Sequence, residues 1–193
     1  RKSEMYQKYN TDAIVLGGRE RGEADKVFAL YTRDFGLVYA RASAVRAEKS
    51  KMRYALQSHA HARVSLVRGN RGWRAAGASC HGAGLEGKGL VAFARIAALV
   101  SRLVAGEERN EYLFEALAQA RISLADAADE AVPTIELVCV ARILYALGYL
   151  SIEALDTTMF SHTAYGIEHI REASALRDPL LSIINSALSE THL

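Results

Sequence analysis

Between Arg41 and Arg74 the chain sets nine cations among several aromatic rings. Arg41, Arg46, Lys49, Lys51 and Arg53 form one cluster, and Arg63, Arg68, Arg71 and Arg74 form another. Tyr31 and Tyr39 precede them, and Tyr54 and Trp73 lie among them. Cations at this density can neutralise phosphates along a nucleic-acid backbone, while aromatic faces stack bases without demanding a sequence. Taken singly, each of these residues also suits a solvated strand face or loop tip, and each ring a half-buried barrel position. The collective excess is what carries the expectation of a polyanion.

That excess is hidden in the whole-chain charge of +2. Arg1 to Leu85 holds 16 Lys/Arg against 7 Asp/Glu, a net +9, and Glu86 to Leu193 holds 8 against 15, a net −7. Charge divided in this way points to a polyanion partner for one half only. The segment Arg46 to Arg53 sets four cations against Glu48 alone. It reads as a basic loop that can wrap a backbone and order on binding.

Other chemistries leave little trace. Gly69-Asn70-Arg71-Gly72 is followed by no Gly-Lys-Ser/Thr, so no phosphate loop is read. His59 and His61 would share a strand face, but a metal needs two further ligands and only Cys80-His81 lies nearby. Glu107-Glu108 and Asp126, Asp129 and Glu130 fall at helix ends, where acids favour the next N-terminus. The expectation is a non-enzyme without metal or cofactor. Two cysteines cannot supply a disulfide framework and suit inert thiols in a reducing cytoplasm. No apolar run is long enough to cross a bilayer, and Arg1 to Asn10 reads as no secretory leader.

The elements that must position the cations change character midway. Thr11 to Leu16 reads as a strand ending at a Gly17-Gly18 turn. Lys26 to Thr32 and Leu37 to Ala42 read as a hairpin around Gly36. His61 to Val67 and Trp73 to Cys80 form a second hairpin closed at Gly69 to Gly72. About five short strands with turns between them predict a small closed barrel. His81 to Gly89 holds four glycines and reads as a linker.

From Leu90 the period becomes helical, with Phe93, Ile96, Ala97, Val100, Leu103 and Val104 at three- and four-residue spacings up to Gly106. Asn110 suits an N-cap and Pro133 a first-turn position. The segment from Pro133 to Gly148 is apolar almost all round and is placed at the bundle centre. Further helical patterns occupy Thr163 to Leu176 and Leu180 to Leu188. The fold class expected is α+β, a small N-terminal β-barrel followed by an all-α domain. The divisions are 1–80 for the barrel, 81–89 for the linker and 90–193 for the helices.

Several short stretches of the N-terminal half resemble the RecO family of bacterial recombination mediators. They are Ala13-Ile14-Val15-Leu16, Gly22-Glu23-Ala24-Asp25, Thr32-Arg33-Asp34-Phe35-Gly36, Val45-Arg46-Ala47-Glu48-Lys49-Ser50 and Leu56-Gln57, in family order. Two departures are visible. Ala44 stands where the family has a glycine before its basic segment, and no cysteines follow Gly148-Tyr149 where many members carry a four-cysteine zinc module. Zinc binding is therefore not carried over.

The resemblance implies an oligonucleotide-binding (OB) fold with a helical C-terminal domain. It implies a cytoplasmic, nucleoid-associated DNA repair and recombination protein that binds single- and double-stranded DNA and anneals complementary strands. It also implies partnership with RecR and contact with the acidic C-terminal tail of single-stranded-DNA-binding protein, helping RecA indirectly to load. The nucleic-acid-binding candidates are Arg41, Arg46, Lys49, Lys51, Arg53, Arg68, Arg71, Trp73 and Arg74. Arg121 and Arg142 are the candidates for the protein tail, their alternative being helix-surface ion pairs. Two other readings stay open: an RNA-binding OB module, and an adaptor whose basic half docks an acidic protein.

Overall fold

The computed structural model describes residues 7–43, 45, 50–153, 155 and 157–191. Strand β1 (Lys8–Arg21) is followed by β2 (Asp25–Thr32), β3 (Gly36–Ala42), a short helix α1 (Lys51–Ala55), β4 (His61–Gly69) and β5 (Gly72–His81). The strands close into a barrel in the order β1-β2-β3-β5-β4. All neighbours are antiparallel except β3 and β5, which pair in parallel through Ala40 with Trp73 and Arg41 with Arg74. This order, with a helix between β3 and β4, is the OB topology that the resemblance implies.

β1 is longer than its sequence pattern suggested. Gly17 and Gly18 do not turn the chain; they lie within the strand, at a register shift between Val15 and Gly17. A glycine there permits the bulge that bends a strand. Gly18 also receives Lys26 and Phe28 so closely that a Cβ would collide with the Lys26 side chain. The bend lets one strand pair with β4 through its first half and with β2 through its second, which closes the barrel. The reversal falls instead at Gly22 to Ala24, with Gly22 at φ 65°.

The barrel interior is narrow. Ala13, Ala40, Ala42, Ala60, Ala62 and Ala75 share it with Val15, Phe28, Leu30, Val38, Leu56, Val64 and Leu66. Trp73 completes it at one end, edge-on to Tyr9 at 5.7 Å and tilted against Phe35 at 5.1 Å. The β2–β3 turn is held by the Thr32 hydroxyl, which donates to the Gly36 carbonyl at 2.9 Å and accepts from the Phe35 N–H at 3.0 Å. Gly36 has φ 66°, and a Cβ there would run into the Glu108 backbone. Residues 105–109 accordingly group with the barrel, and Leu37 N–H donates to the Gly106 carbonyl at 3.2 Å.

The second compact unit comprises residues 83–104 and 110–193. It contains α2 (Gly87–Leu103), α3 (Glu111–Asp126), α4 (Val132–Ala146), α5 (Ile167–Ala175) and α6 (Arg177–Glu190). α2 starts earlier than Leu90, so Gly87 to Gly89 form its first turn; Gly89 lies against the Leu124 carbonyl too closely for a side chain. Asn110 caps α3 by accepting from the Leu113 N–H at 2.9 Å, and its amide donates to Ala146 O at 3.1 Å. α4, opened by Pro133, is the central helix and touches α2, α3, α5 and α6. Pro179 does not precede α6 but sits in its first turn, where an N–H has no intrahelical partner to lose. No helix among the described residues is long and apolar enough to cross a membrane.

Candidate nucleic-acid interface

The β4–β5 hairpin turns through Asn70 and Arg71, with Gly69 opposite Gly72 and Gly72 at φ 92°, a conformation glycine adopts without strain. Strand alternation then sends Trp73 into the barrel and Arg74 outward. On β3 the same alternation exposes Tyr39 and Arg41 while burying Val38, Ala40 and Ala42. The parallel β3–β5 pairing brings Arg41 beside Arg74. Together these elements form a concavity of about 350 Å³, lined by Arg41, Val67, Gly69, Asn70, Arg71, Gly72, Trp73 and Arg74.

Three guanidinium groups thus meet at a cup lined by no carboxylate among the described residues. Arg41 is oriented by Asp25, whose Oδ2 accepts from Nε at 2.8 Å and also from Nη2. Arg68, one register step away on β4, faces Trp73; its guanidinium carbon lies 5.1 Å from the ring centroid, and Nη1 donates to Glu107 Oε2 at 3.0 Å. Of the sequence candidates, Arg41, Arg71, Trp73 and Arg74 therefore converge, with Arg68 at their side. Arg63 pairs instead with Asp12 at 3.2 Å, and Arg33 and the His81 ring approach the same carboxylate at 3.7 and 3.9 Å.

Arg53 belongs to a different concavity of about 510 Å³, lined by Glu20, Lys26, Phe28, Val45, Arg53, Leu56, Gln57 and Ser58. Lys26, which the sequence reading did not single out, lies there with Nζ 5.2 Å from the Phe28 ring centroid. No local signal distinguished it, because β2 opens directly on Asp25-Lys26. Lys51 and Arg53 are exposed on α1, so this part of the expected loop is helical. Arg46 and Lys49 lie outside the described residues, as does Ala44.

The rings divide cleanly. Tyr39 and Tyr54 are 58% and 65% exposed, whereas Trp73 and Tyr31 are 5% and 1% exposed. Tyr39 and Tyr54 are thus open to a base as they stand, and Tyr31 is enclosed. Burial, followed by the nearby Glu108 charge, pushes the Tyr31 hydroxyl well above its usual range.

The two helical-unit candidates are not surface groups. Arg121 is buried and donates to Ala83 O at 3.0 Å. Arg142 has no exposed surface; Nε donates to Met159 O at 3.1 Å, Nη2 donates to Ala164 O at 3.0 Å and lies 3.3 Å from His162 Nδ1, and its guanidinium covers the Tyr165 ring at 4.6 Å. Neither the tail-binding expectation nor its surface ion-pair alternative fits these positions. Both arginines bind backbone carbonyls and fix chain segments. Cys139 is buried, and desolvation pushes its thiol up to about 12; Cys80 is exposed.

Residues 5–74 match the sequence model of the family described as "Recombination protein O N terminal". The barrel is similar to the N-terminal region of RecO proteins. A RecO relative named DNA repair protein RecO, from Desulfitobacterium hafniense (strain DSM 10664 / DCB-2), is 38% identical over 61 residues, which is 32% of this chain and 22% of that protein. Proteins of the same name from Pelotomaculum thermopropionicum and Dehalococcoides mccartyi are 43% and 39% identical over 61 residues, again 32% of this chain and 24% of each relative. The matched segment thus spans about a quarter or less of these RecO proteins. The family-model match, residues 5–74, includes Arg41 and the cup-lining residues through Arg74.

Proposed function

We propose that the chain is a DNA repair and recombination protein whose barrel binds single-stranded DNA. The observation that carries this reading is the meeting of Arg41, Arg71 and Arg74 at a cup lined by no carboxylate among the described residues, beside the exposed Tyr39 on β3. Three cations on adjacent strands and a hairpin tip suit successive phosphates, and an exposed ring beside them suits a base. The names of the RecO relatives support the repair role. On this reading the protein is a binding protein rather than an enzyme. It anneals complementary strands by screening their phosphates from each other while base edges stay free to pair. RecR, the tail of single-stranded-DNA-binding protein and, indirectly, RecA are its proposed partners.

The test is annealing of complementary oligonucleotides at two salt concentrations, beside Arg71→Glu/Arg74→Glu. Annealing should fall with salt and should drop at least tenfold in the double variant. Annealing that is insensitive to both overturns the reading. Preference for RNA over a matched DNA oligonucleotide would move the protein to RNA binding through the 2′-hydroxyl.

A further inference from the structure

Trp73 presents a contradiction as a stacking residue: it lines the cup, yet it is only 5% exposed. Tyr9 and Phe35 cover it within the barrel mouth, and the Arg68 guanidinium covers one face at 5.1 Å. Among the described residues its buried indole N–H has no hydrogen-bond partner. Arg68 is held in this position from its far side by the Glu107 carboxylate at 3.0 Å. Glu107 is in turn held against the barrel, because its neighbour Gly106 accepts from Leu37 N–H and Glu108 closes on Gly36. Arg68 and Glu107 remain 60% and 38% exposed, and an ion pair so open to water is weak and readily exchanged.

A carboxylate oxygen on a guanidinium is the protein's own equivalent of a phosphate oxygen on the same group. We infer that Arg68 is a further phosphate site of the barrel, occupied at rest by Glu107, and that a strand phosphate displacing Glu107 draws Arg68 off Trp73 and opens the indole face to a base. This rests on the reading of the barrel as a single-strand binder. Glu107 then sets a threshold: an isolated anion gains little by replacing it, while a strand already anchored at Arg71 and Arg74 delivers its next phosphate at high local concentration.

Trp73 is the chain's single tryptophan, so intrinsic fluorescence reports it alone. The experiment titrates the full chain with a thymidine homopolymer, following Trp73 emission and acrylamide quenching, in the wild type, Glu107→Gln, Glu108→Gln and Arg68→Ala/Glu107→Gln, with Arg68→Ala as its reference. The wild-type strand complex should quench Trp73 emission by stacking. Glu107→Gln should bind roughly two- to fivefold tighter than wild type. Glu108→Gln makes the same charge change without touching Arg68 and should not. In the Arg68→Ala background the Glu107→Gln gain should vanish. Binding with unchanged Trp73 emission, or equal effects of Glu107→Gln and Glu108→Gln, overturns the inference and leaves the strand-binding reading standing. Absence of binding by the wild type overturns both.

Discussion

Arg41 and Arg74 are register partners across the barrel's single parallel strand pair, two like charges on adjacent strands. Like charges placed so close repel, and nothing in folding alone favours them. Asp25 offsets Arg41 from the β2 side, but among the described residues no carboxylate lines the cup beside Arg74. The pair is therefore a feature that binding explains better than stability does. Arg74→Gln should leave stability unchanged or slightly raised, by at most about 0.5 kcal/mol. It should weaken binding to a thymidine homopolymer and flatten the plot of log K against log salt by about 0.7. Denaturation and salt titration of the same preparation would read both; loss of stability with unchanged salt dependence would refute the assignment.

Gly36→Ala should destabilise the barrel by about 2 kcal/mol or more. The position combines φ 66° with a Cβ collision against the Glu108 backbone, so conformational strain and overlap add. Urea denaturation followed by Trp73 fluorescence measures it, and a shift under 0.5 kcal/mol would contradict the close approach. Gly72→Ala provides the comparison, since its φ is 92° with open space around it and only the conformational component applies.

Arg142→Ala should cost about 3 kcal/mol or more, through a cavity at a fully buried side chain and two carbonyls left without their donor. The loss should be concentrated in residues 157–165, where amide hydrogen exchange should accelerate. The salt dependence of single-strand binding should be unchanged, because Arg142 offers no surface to a phosphate. An altered salt slope in a folded Arg142→Ala protein would show that the arginine reaches the strand.

Stability should fall on acidification because of His162. Burial, then the charges of Arg142 and His169, hold its imidazole below the usual value of 6.5, with Glu172 opposing them. The geometry agrees, since Nδ1 accepts from the Ala164 N–H at 3.2 Å and faces Arg142 at 3.3 Å, which requires the unprotonated nitrogen. A histidine with its folded value depressed leaves the unfolded chain binding more protons below 6.5. Its contribution is thus present above 6.5 and is lost as the pH falls through the lowered value. The His169 ring lies tilted against His162 at 4.3 Å, with Nε2 3.4 Å from Glu168 Oε1. Urea midpoints at pH 7.5 and 5.5 should separate, and His162→Asn, which keeps an acceptor near Nδ1 without the titration, should narrow the gap. An equal gap in the variant would assign it to other groups.

The barrel was legible because strand alternation and turn residues agree from β2 through β5. What misled was glycine. Gly17-Gly18 carries the composition of a turn, and only the pairing of β1 with two neighbours shows it as a bend inside a strand. Among the site residues, Arg41, Arg71 and Arg74 could be named from local pattern, but their meeting depends on the β3–β5 register, which no local pattern encodes. Trp73 alternates with Arg74, so an inward ring was available as a reading beside the stacking one. Arg142 was the avoidable error. A helix apolar on every side buries whatever it carries, and the pattern that placed α4 at the bundle centre already placed this arginine there. Glu107 could not have been found, because its contact with Arg68 joins residues 39 apart through a segment that sequence assigned to a helix end.

Six alanines lining one small barrel leave it without a lumen. Whatever it carries must ride on the outside, on side chains that contribute little to holding the strands together. Cations can then be gained, lost or moved around that outer wall with slight effect on folding, so affinity and salt response can drift between relatives while the wall itself stays put. The exception is the mouth closed by Trp73, where the stopper is, on the proposed reading, also the cargo surface, and there change is constrained from both sides.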